Sequence, residues 1–380
     1  MSFIDLVYLD ANASEPLHPA ARAAMLAALE QPGNPASIHG AGRAARRVLE
    51  SARESLAARF HAAPGDLIFT SGATEADALA IHALGAGRPV LIGATEHDAV
   101  RAAAPGAVII PVRQSGEVDL PTLEALLRTH ENALVCLMSA NNETGVLHPL
   151  ADAASLCARY HALLHVDAVQ TAGRVEIDYL ALGAASFAVS AHKLGGPLGA
   201  GALICAAGLA DHIKPLIAGG GQERGRRGGT PALPALAGFA AAAMVARPDL
   251  RAARERIEQA ARACGALVMG EAAPRLGNTS CLALPGARGG VRAETQVIAL
   301  DMAGFCVSAG SACSSGKVAR SHVLAAMGYA DHAGDAIRVS LPWNLRDGDV
   351  DQFIVAYRAM AERALRKPGD ISSSPPVRAA

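Results

Sequence analysis

Lys193 stands in "SAHKLGGPLGAGAL" (190–203), after an apolar run that reads as a strand and before glycines that let the backbone turn sharply. The chain has lysine only at Lys193, Lys214, Lys317 and Lys367, and of these only Lys193 falls at a strand end beside other candidate site residues. Taken alone it is a surface lysine in a hairpin. Asp167 closes a second run in "HVDAVQ" (165–170). A buried carboxylate there costs free energy unless a cation or N–H meets it; a protonated ring nitrogen is one candidate and an arginine the plainer one. "FTSGATEAD" (69–77) leads from a strand through a Ser-Gly-Ala-Thr turn into a helix, offering free N–H groups and a hydroxyl where a phosphate would sit. By itself it is more simply a helix capped by Thr74. In this order, however, a phosphate cradle, a buried acid and a strand-end amine are the anchor, pyridinium partner and Schiff-base lysine that a pyridoxal 5'-phosphate (PLP) site needs. His97, in "TEHDAV" (95–100), could stack on a ring or relay a proton.

Cys313 raises a separate question. It sits in "SAGSACSSG" (308–316), a run of small and polar residues with no hydrophobic period, which reads as a mobile surface loop. An exposed thiol invites oxidation and usually has a chemical reason. The seven cysteines include no CxxC pair, which argues against a disulfide framework or a zinc knuckle. His161 and His165 have i,i+4 spacing but lack the glutamate of a zinc helix, so no metal site is expected.

These residues need a scaffold. With 380 residues, 51% of them hydrophobic, the chain can fill two cores. A net charge of -1 gives no field for nucleic acid or anionic lipid, which favours a small-molecule substrate. No basic stretch and apolar core mark the N-terminus as a leader, and no uninterrupted apolar run reaches membrane-spanning length, so a cytoplasmic protein is expected. Strand-like runs at 66–70, 89–94, 107–112, 133–139, 163–168, 186–191 and 201–206 alternate with helical stretches at 74–86, 120–130 and 150–162. That is the pattern of an α/β fold with a mainly parallel seven-stranded sheet. Beyond the Gly/Arg-rich "GGGQERGRRGGT" (219–230), the sequence predicts a long helical region to about residue 270. Shorter strands at 279–285 and 336–341 then suggest a smaller α+β domain. The expected division is 14–250 for the large domain, 1–13 with 251–366 for the small one, and a disordered Pro/Ser-rich tail at 367–380.

The motifs "YLDANASEP", "NPASIHGAGRAAR", "FTSGATEADALAI", "TEHDAV", "NNETGV", "HVDAVQTAGR", "SAHKLGGPLGAGAL", "GGGQERGRRGGT" and "SAGSACSSG" resemble, in order, those of the NifS and IscS type of cysteine desulfurases. These form a class V branch of the fold-type I PLP enzymes, and the resemblance runs from about residue 8 to 345. It implies that Lys193 holds PLP, His97 stacks on its ring, Asp167 pairs with its pyridine nitrogen and Gln170 bonds its phenolic oxygen. Thr74, Ser190 and His192 would hold the phosphate, with Thr230 reaching in from a second subunit of a homodimer, and Ala73 would also contact the cofactor. Asn142 would lie near the ring, and Arg338 and Asn34 would grip the carboxylate of L-cysteine. Cys313 would take the substrate sulfur as a persulfide and pass it to an acceptor or scaffold protein, for iron-sulfur cluster or other sulfur-cofactor assembly.

The resemblance has departures. Ser14 and Glu15 stand where the family often has two threonines, and an added carboxylate near the pocket mouth would bear on substrate fit or domain closure. A selenocysteine lyase or class V aminotransferase would share the cofactor residues. A noncatalytic sulfur-carrier subunit on the same fold is the alternative of another kind, which intact Lys193, Asp167 and Cys313 oppose.

Overall fold

The computed structural model describes residues 6–285, 290–310 and 320–365. Cys313 and the tail from 367 lie outside the described residues. The chain opens with strand β1 (Val7–Tyr8) and helices α1 (Pro19–Leu29) and α2 (Gly40–Arg59). The sheet-bearing stretch follows as β2 (Leu67–Thr70), α3 (Ala73–Leu84), β3 (Val90–Gly93), α4 (Asp98–Ala103), β4 (Val108–Ile110) and α5 (Leu120–Thr129). It continues through β5 (Leu134–Met138), α6 (Leu150–Arg159), β6 (Leu163–Asp167), β7 (Ser186–Ser190) and β8 (Gly201–Cys205). Next come α7 (Leu233–Ala243), α8 (Arg251–Ala263), β9 (Leu267–Val268), β10 (Thr279–Ala283) and α9 (Ala293–Met302). The last elements are β11 (Phe305–Cys306), β12 (Ser308–Ala309), α10 (His322–Ala326), β13 (Ala336–Ser340) and α11 (Asp349–Leu365).

The seven apolar runs read as strands form one sheet in the order β2-β8-β7-β6-β5-β3-β4. Strand β8 is antiparallel to both neighbours and the remaining pairs are parallel. Because helices cover both faces, the strands are apolar throughout rather than alternating. In β5, Val135 and Leu137 join the core under α5 and α6, while Leu134 and Cys136 point to the opposite face under α3 and α4. The topology sends β2, β3, β5, β6 and β7 in one direction, so their carboxyl ends lie along one edge. That edge is where open α/β sheets bind ligands.

The second body is an antiparallel sheet, β12-β13-β10-β9, beside the parallel pair β1-β11. Val7 and Leu9 pack in its core with Ile257, Leu282, Ile337 and Phe353, so the N-terminal strand joins C-terminal elements. Residues 10–16 then run from this body across to the large sheet. The single helical region expected to reach residue 270 is instead two helices, α7 and α8. Pro248 lies in the break between them, and Gly265, with φ +83°, follows α8 in a left-handed conformation that ends it. No described helix is long and apolar enough to cross a membrane.

Candidate active site

A pocket of about 690 Å³ opens at the common strand edge, and it gathers residues from five strand ends and from the second sheet. Ala73 and Thr74 come from the start of α3, His97 from the turn after β3, and Asn142 from beyond β5. Asp167 and Gln170 come from the end of β6, Ser190, His192 and Lys193 from the end of β7, and Arg338 from β13.

Helix α3 presents its N-terminus to this pocket. Its N-cap is Gly72, with no side-chain cap, so Thr74 is not the capping residue; it lies in the first turn and lines the pocket. The uncapped amides carry the positive end of the helix. The close approach is built into β8: a Cβ on Gly201 would lie 2.6 Å from the backbone of Gly72. Only glycine lets the strand and the helix start touch there.

Lys193 follows β7 and donates to the carbonyl oxygens of Asn12 and, at 3.0 Å, Ala13. Burial, with Arg338 and Arg174 nearby, lowers its pKa to about 7, so a large fraction of the amine is neutral at physiological pH. His192 is held neutral by burial and by Lys193, its pKa lowered to about 4, and its Nδ1 is buried without a hydrogen-bond partner. Asp167 accepts from the Val169 N–H at 3.0 Å. Burial and the nearby Asp77 raise its pKa, and no arginine or lysine pairs with it among the described residues. The plainer alternative for this carboxylate, a neighbouring arginine, is therefore not what the fold supplies.

Behind Asp167 lies a second buried acid. Asp77 Oδ1 sits 3.1 Å from His165 Nε2, and His165 Nδ1 sits 2.8 Å from the Ser186 hydroxyl. Burial drives Asp77 up and His165 down to about 4, and Asp77 lines the pocket with His165 packed behind it. His97 caps α4, its Nδ1 accepting from the Ala99 N–H at 3.1 Å, which leaves Nε2 to carry the proton of the neutral ring.

Arg338 reaches the pocket from the centre of β13. Its Nη2 donates to Asp10 at 2.7 Å and its Nη1 to the Asn142 carbonyl at 3.1 Å, while Nε is buried with no partner. An incoming carboxylate would exchange with Asp10. Asn34 and Thr230 are exposed and do not line the pocket of their own chain; Asn34 Oδ1 accepts from the Ala36 N–H at 2.9 Å. Two site residues had no role assigned from sequence. Asn12 and Arg174 reach Gln170 and Lys193 through hydrogen bonds, and the quoted motifs "YLDANASEP" and "HVDAVQTAGR" were the signal that contained them. Glu15 is buried rather than at the pocket mouth, and its carboxylate takes Arg174 at 3.1 Å.

A family model described as aminotransferase class-V matches residues 7–353. A cysteine desulfurase of Cereibacter sphaeroides is 41% identical, over 92% of this chain and 94% of that protein. The chain belongs to the cysteine desulfurases of the class-V aminotransferase family. An IscS-like cysteine desulfurase of Mycobacterium tuberculosis is 34% identical over 95% of this chain and 98% of that one. Among solved structures, a NifS-like protein from Rickettsia africae superposes with a TM-score of 0.85 at 30% identity, covering 94% of this chain and 99% of its own. A further one, SspA in complex with cysteine, gives 0.77 at 26% identity, covering 88% and 99%. The class-V desulfurases are PLP enzymes, and the residues here fit that group. An uncapped helix start, an orphaned His192 nitrogen, an unpaired buried carboxylate and a partly neutral lysine are the donors and acceptors PLP requires. Among the described residues no cluster of His, Cys, Asp or Glu is placed to hold a metal ion.

Proposed function

We propose that this chain is a PLP-dependent L-cysteine desulfurase that moves the substrate sulfur onto Cys313. The observation that carries the reading is the convergence of Lys193, Asp167, the α3 N-terminus and Arg338 on one pocket. When bound, PLP supplies an electron sink for the charge left on the substrate α-carbon. Thr74, Ser190 and His192 would hold its phosphate, Asp167 would serve its ring nitrogen, Gln170 its phenolic oxygen and His97 its ring. Lys193, poised near neutrality, would anchor the cofactor and, as a free amine, would take the substrate α-proton. Arg338, released from Asp10, orients the substrate carboxylate.

Cys313 then acts as the nucleophile. Its thiolate attacks the substrate sulfur; the Cβ–S bond breaks with its electron pair left on carbon, which takes a proton on the way to alanine. The sulfur remains as a persulfide on Cys313, so no external oxidant is needed. The described residues nearest Cys313 on its N-terminal side include Ser308, which lines the pocket, and this supports the reading. Gly310 sits beside Glu143, whose Oε2 accepts from the Ser321 hydroxyl at 2.6 Å. A homodimer accounts for Thr230 and Asn34 being exposed in the single chain, and a sulfur acceptor protein follows from the persulfide product. The core clusters on the two faces of the large sheet, separate from those of the second body, support a large unit over 14–250 and a small one from 1–13 with 251–366.

Peptide mass spectrometry after brief exposure of the purified protein to L-cysteine, without reductant, tests this. One added sulfur on Cys313 is expected. An unmodified Cys313 in PLP-loaded protein that consumes cysteine overturns the persulfide route.

A further inference from the structure

Glu15 is the buried end of a hydrogen-bonded chain that reaches the pocket. Its Oε1 accepts from Arg174 Nη2 at 3.1 Å and lies 3.6 Å from Arg247 Nη1, and its Oε2 accepts from the Trp343 N–H at 3.2 Å. All three Arg247 side-chain nitrogens are buried without a hydrogen bond, so this carboxylate is the counter-charge for two buried guanidinium groups. Arg174 Nη1 in turn donates to Gln170 Oε1 at 2.6 Å and to Asn12 Oδ1 at 3.0 Å.

That contact settles an orientation. Guanidinium only donates, so the Gln170 amide oxygen must face Arg174; the Asn12 carbonyl, 3.1 Å from Gln170 Nε2, only accepts, so the other end must be the amide nitrogen. Both ends give the same answer. The Asn12 side chain is fixed likewise, its oxygen toward Arg174 and Asn278 and its nitrogen toward Asn142 O and Thr279 Oγ1.

We propose that Glu15 and Arg174 are positioning residues that hold the Gln170 amide with its N–H₂ end toward the pocket, so that the site donates to, rather than accepts from, the cofactor's phenolic oxygen. This rests on the reading of Gln170 given above. Glu15 clamps Arg174 on the side away from the pocket, and Arg174 clamps the amide. Loss of either weakens the Arg174 end of this two-point hold and leaves the Asn12 carbonyl as the main constraint, so the turned-over amide gains population and the hydrogen bond that favours the phenolate weakens.

The absorption of PLP-loaded protein as a function of pH tests this, because the bound cofactor's band changes as the ring system gains its proton. The titratable and charged groups facing Lys193 are Asp10, Asp167, Arg338, Arg174 and the neighbouring neutral His192, and only Arg174 among them is altered. One lost hydrogen bond moves the midpoint up by about half to one pH unit. Glu15→Gln separates positioning from simple electrostatics, since removing a negative charge by field alone moves the midpoint down. An upward shift in Glu15→Gln is expected, and a downward shift or none overturns the proposal. Arg174→Met is expected to raise the midpoint in the parent but to lose that effect in a Gln170→Leu background. A shift of equal size in both backgrounds overturns it. Parent protein that forms no cofactor band would instead sink the PLP reading itself, which keeps the two failures apart.

Discussion

At the scale of single residues, the site works by keeping an amine neutral without apolar isolation alone. Lys193 is held to about 7 by burial first, then by Arg338 and Arg174, against 10.5 for an ordinary lysine. Between these values the unfolded chain binds the extra proton. The burden that Lys193 places on the cofactor-free fold is therefore complete below about pH 7 and is relieved as pH rises toward 10.5. The same shift governs loading, because only the neutral amine attacks an aldehyde. The rate at which cofactor-free protein takes up PLP should rise with pH to a plateau with a midpoint near 7; a midpoint above about 9, close to that of a free lysine, would contradict the assigned environment. Lys193, Asp167 and Thr74 were legible in the sequence because each ends or follows an apolar run and only four lysines compete. Glu15 was legible as a departure but not as a buried ion: Arg174 and Trp343 lie 159 and 328 positions away, and a single sequence does not pair residues over such separations.

At the scale of elements, the phosphate end of the site depends on how closely α3 meets β8. A methyl group on Gly201 would stand 2.6 Å from the Gly72 backbone and 2.9 Å from the Val189 carbonyl, both rigid parts of the sheet edge. Overpacking of this kind costs about 1–3 kcal/mol. Because the helix start is the part that must yield, Gly201→Ala is expected to weaken PLP binding by about tenfold, which corresponds to about 1.4 kcal/mol. Titration of cofactor-free protein measures this, and unchanged affinity would show that the cradle does not depend on that contact. The neighbouring 219–230 loop is pinned differently. Glu223 accepts two hydrogen bonds from Arg53 and one from the Phe69 N–H, and Arg227 pairs with Glu75 in the first turn of α3. The seven sheet strands could be read from sequence because buried parallel strands are continuous apolar runs. The two-residue strands β1, β11 and β12 could not, since they exist only through pairing with distant partners. Helices α1 and α2 were not assigned from sequence, although α2 carries a helical stripe that buries Ala45, Leu49, Ala52 and Leu56; in α1, mostly alanine, only Ala21 and Ala28 are buried.

At the scale of the whole molecule, the proposed site calls on two residues that lie outside the pocket of their own chain. Thr230 and Asn34 are exposed and absent from their own pocket, while Leu198, 74% exposed, sits on the pocket wall and Ile38, 90% exposed, lies four residues beyond Asn34. Apolar side chains of that size left in water are what a partner subunit would cover, and Leu198 is at the pocket itself. If the second copy of this chain supplies Thr230, each site is made of Lys193 from one protomer and Thr230 from the other. Lys193→Ala removes the anchor, and Thr230→Asp sets a negative charge against the phosphate, so each homodimer should be inactive. In a mixed dimer both lesions fall in one site and the other site is entirely parental. Co-expression of the two variants with different affinity tags, followed by purification of the mixed species, should therefore recover cysteine desulfurase activity that neither parent variant shows. Inactive mixed dimers, or Thr230→Asp homodimers with full activity, would place Thr230 outside the partner's site and return the phosphate cradle to a single chain.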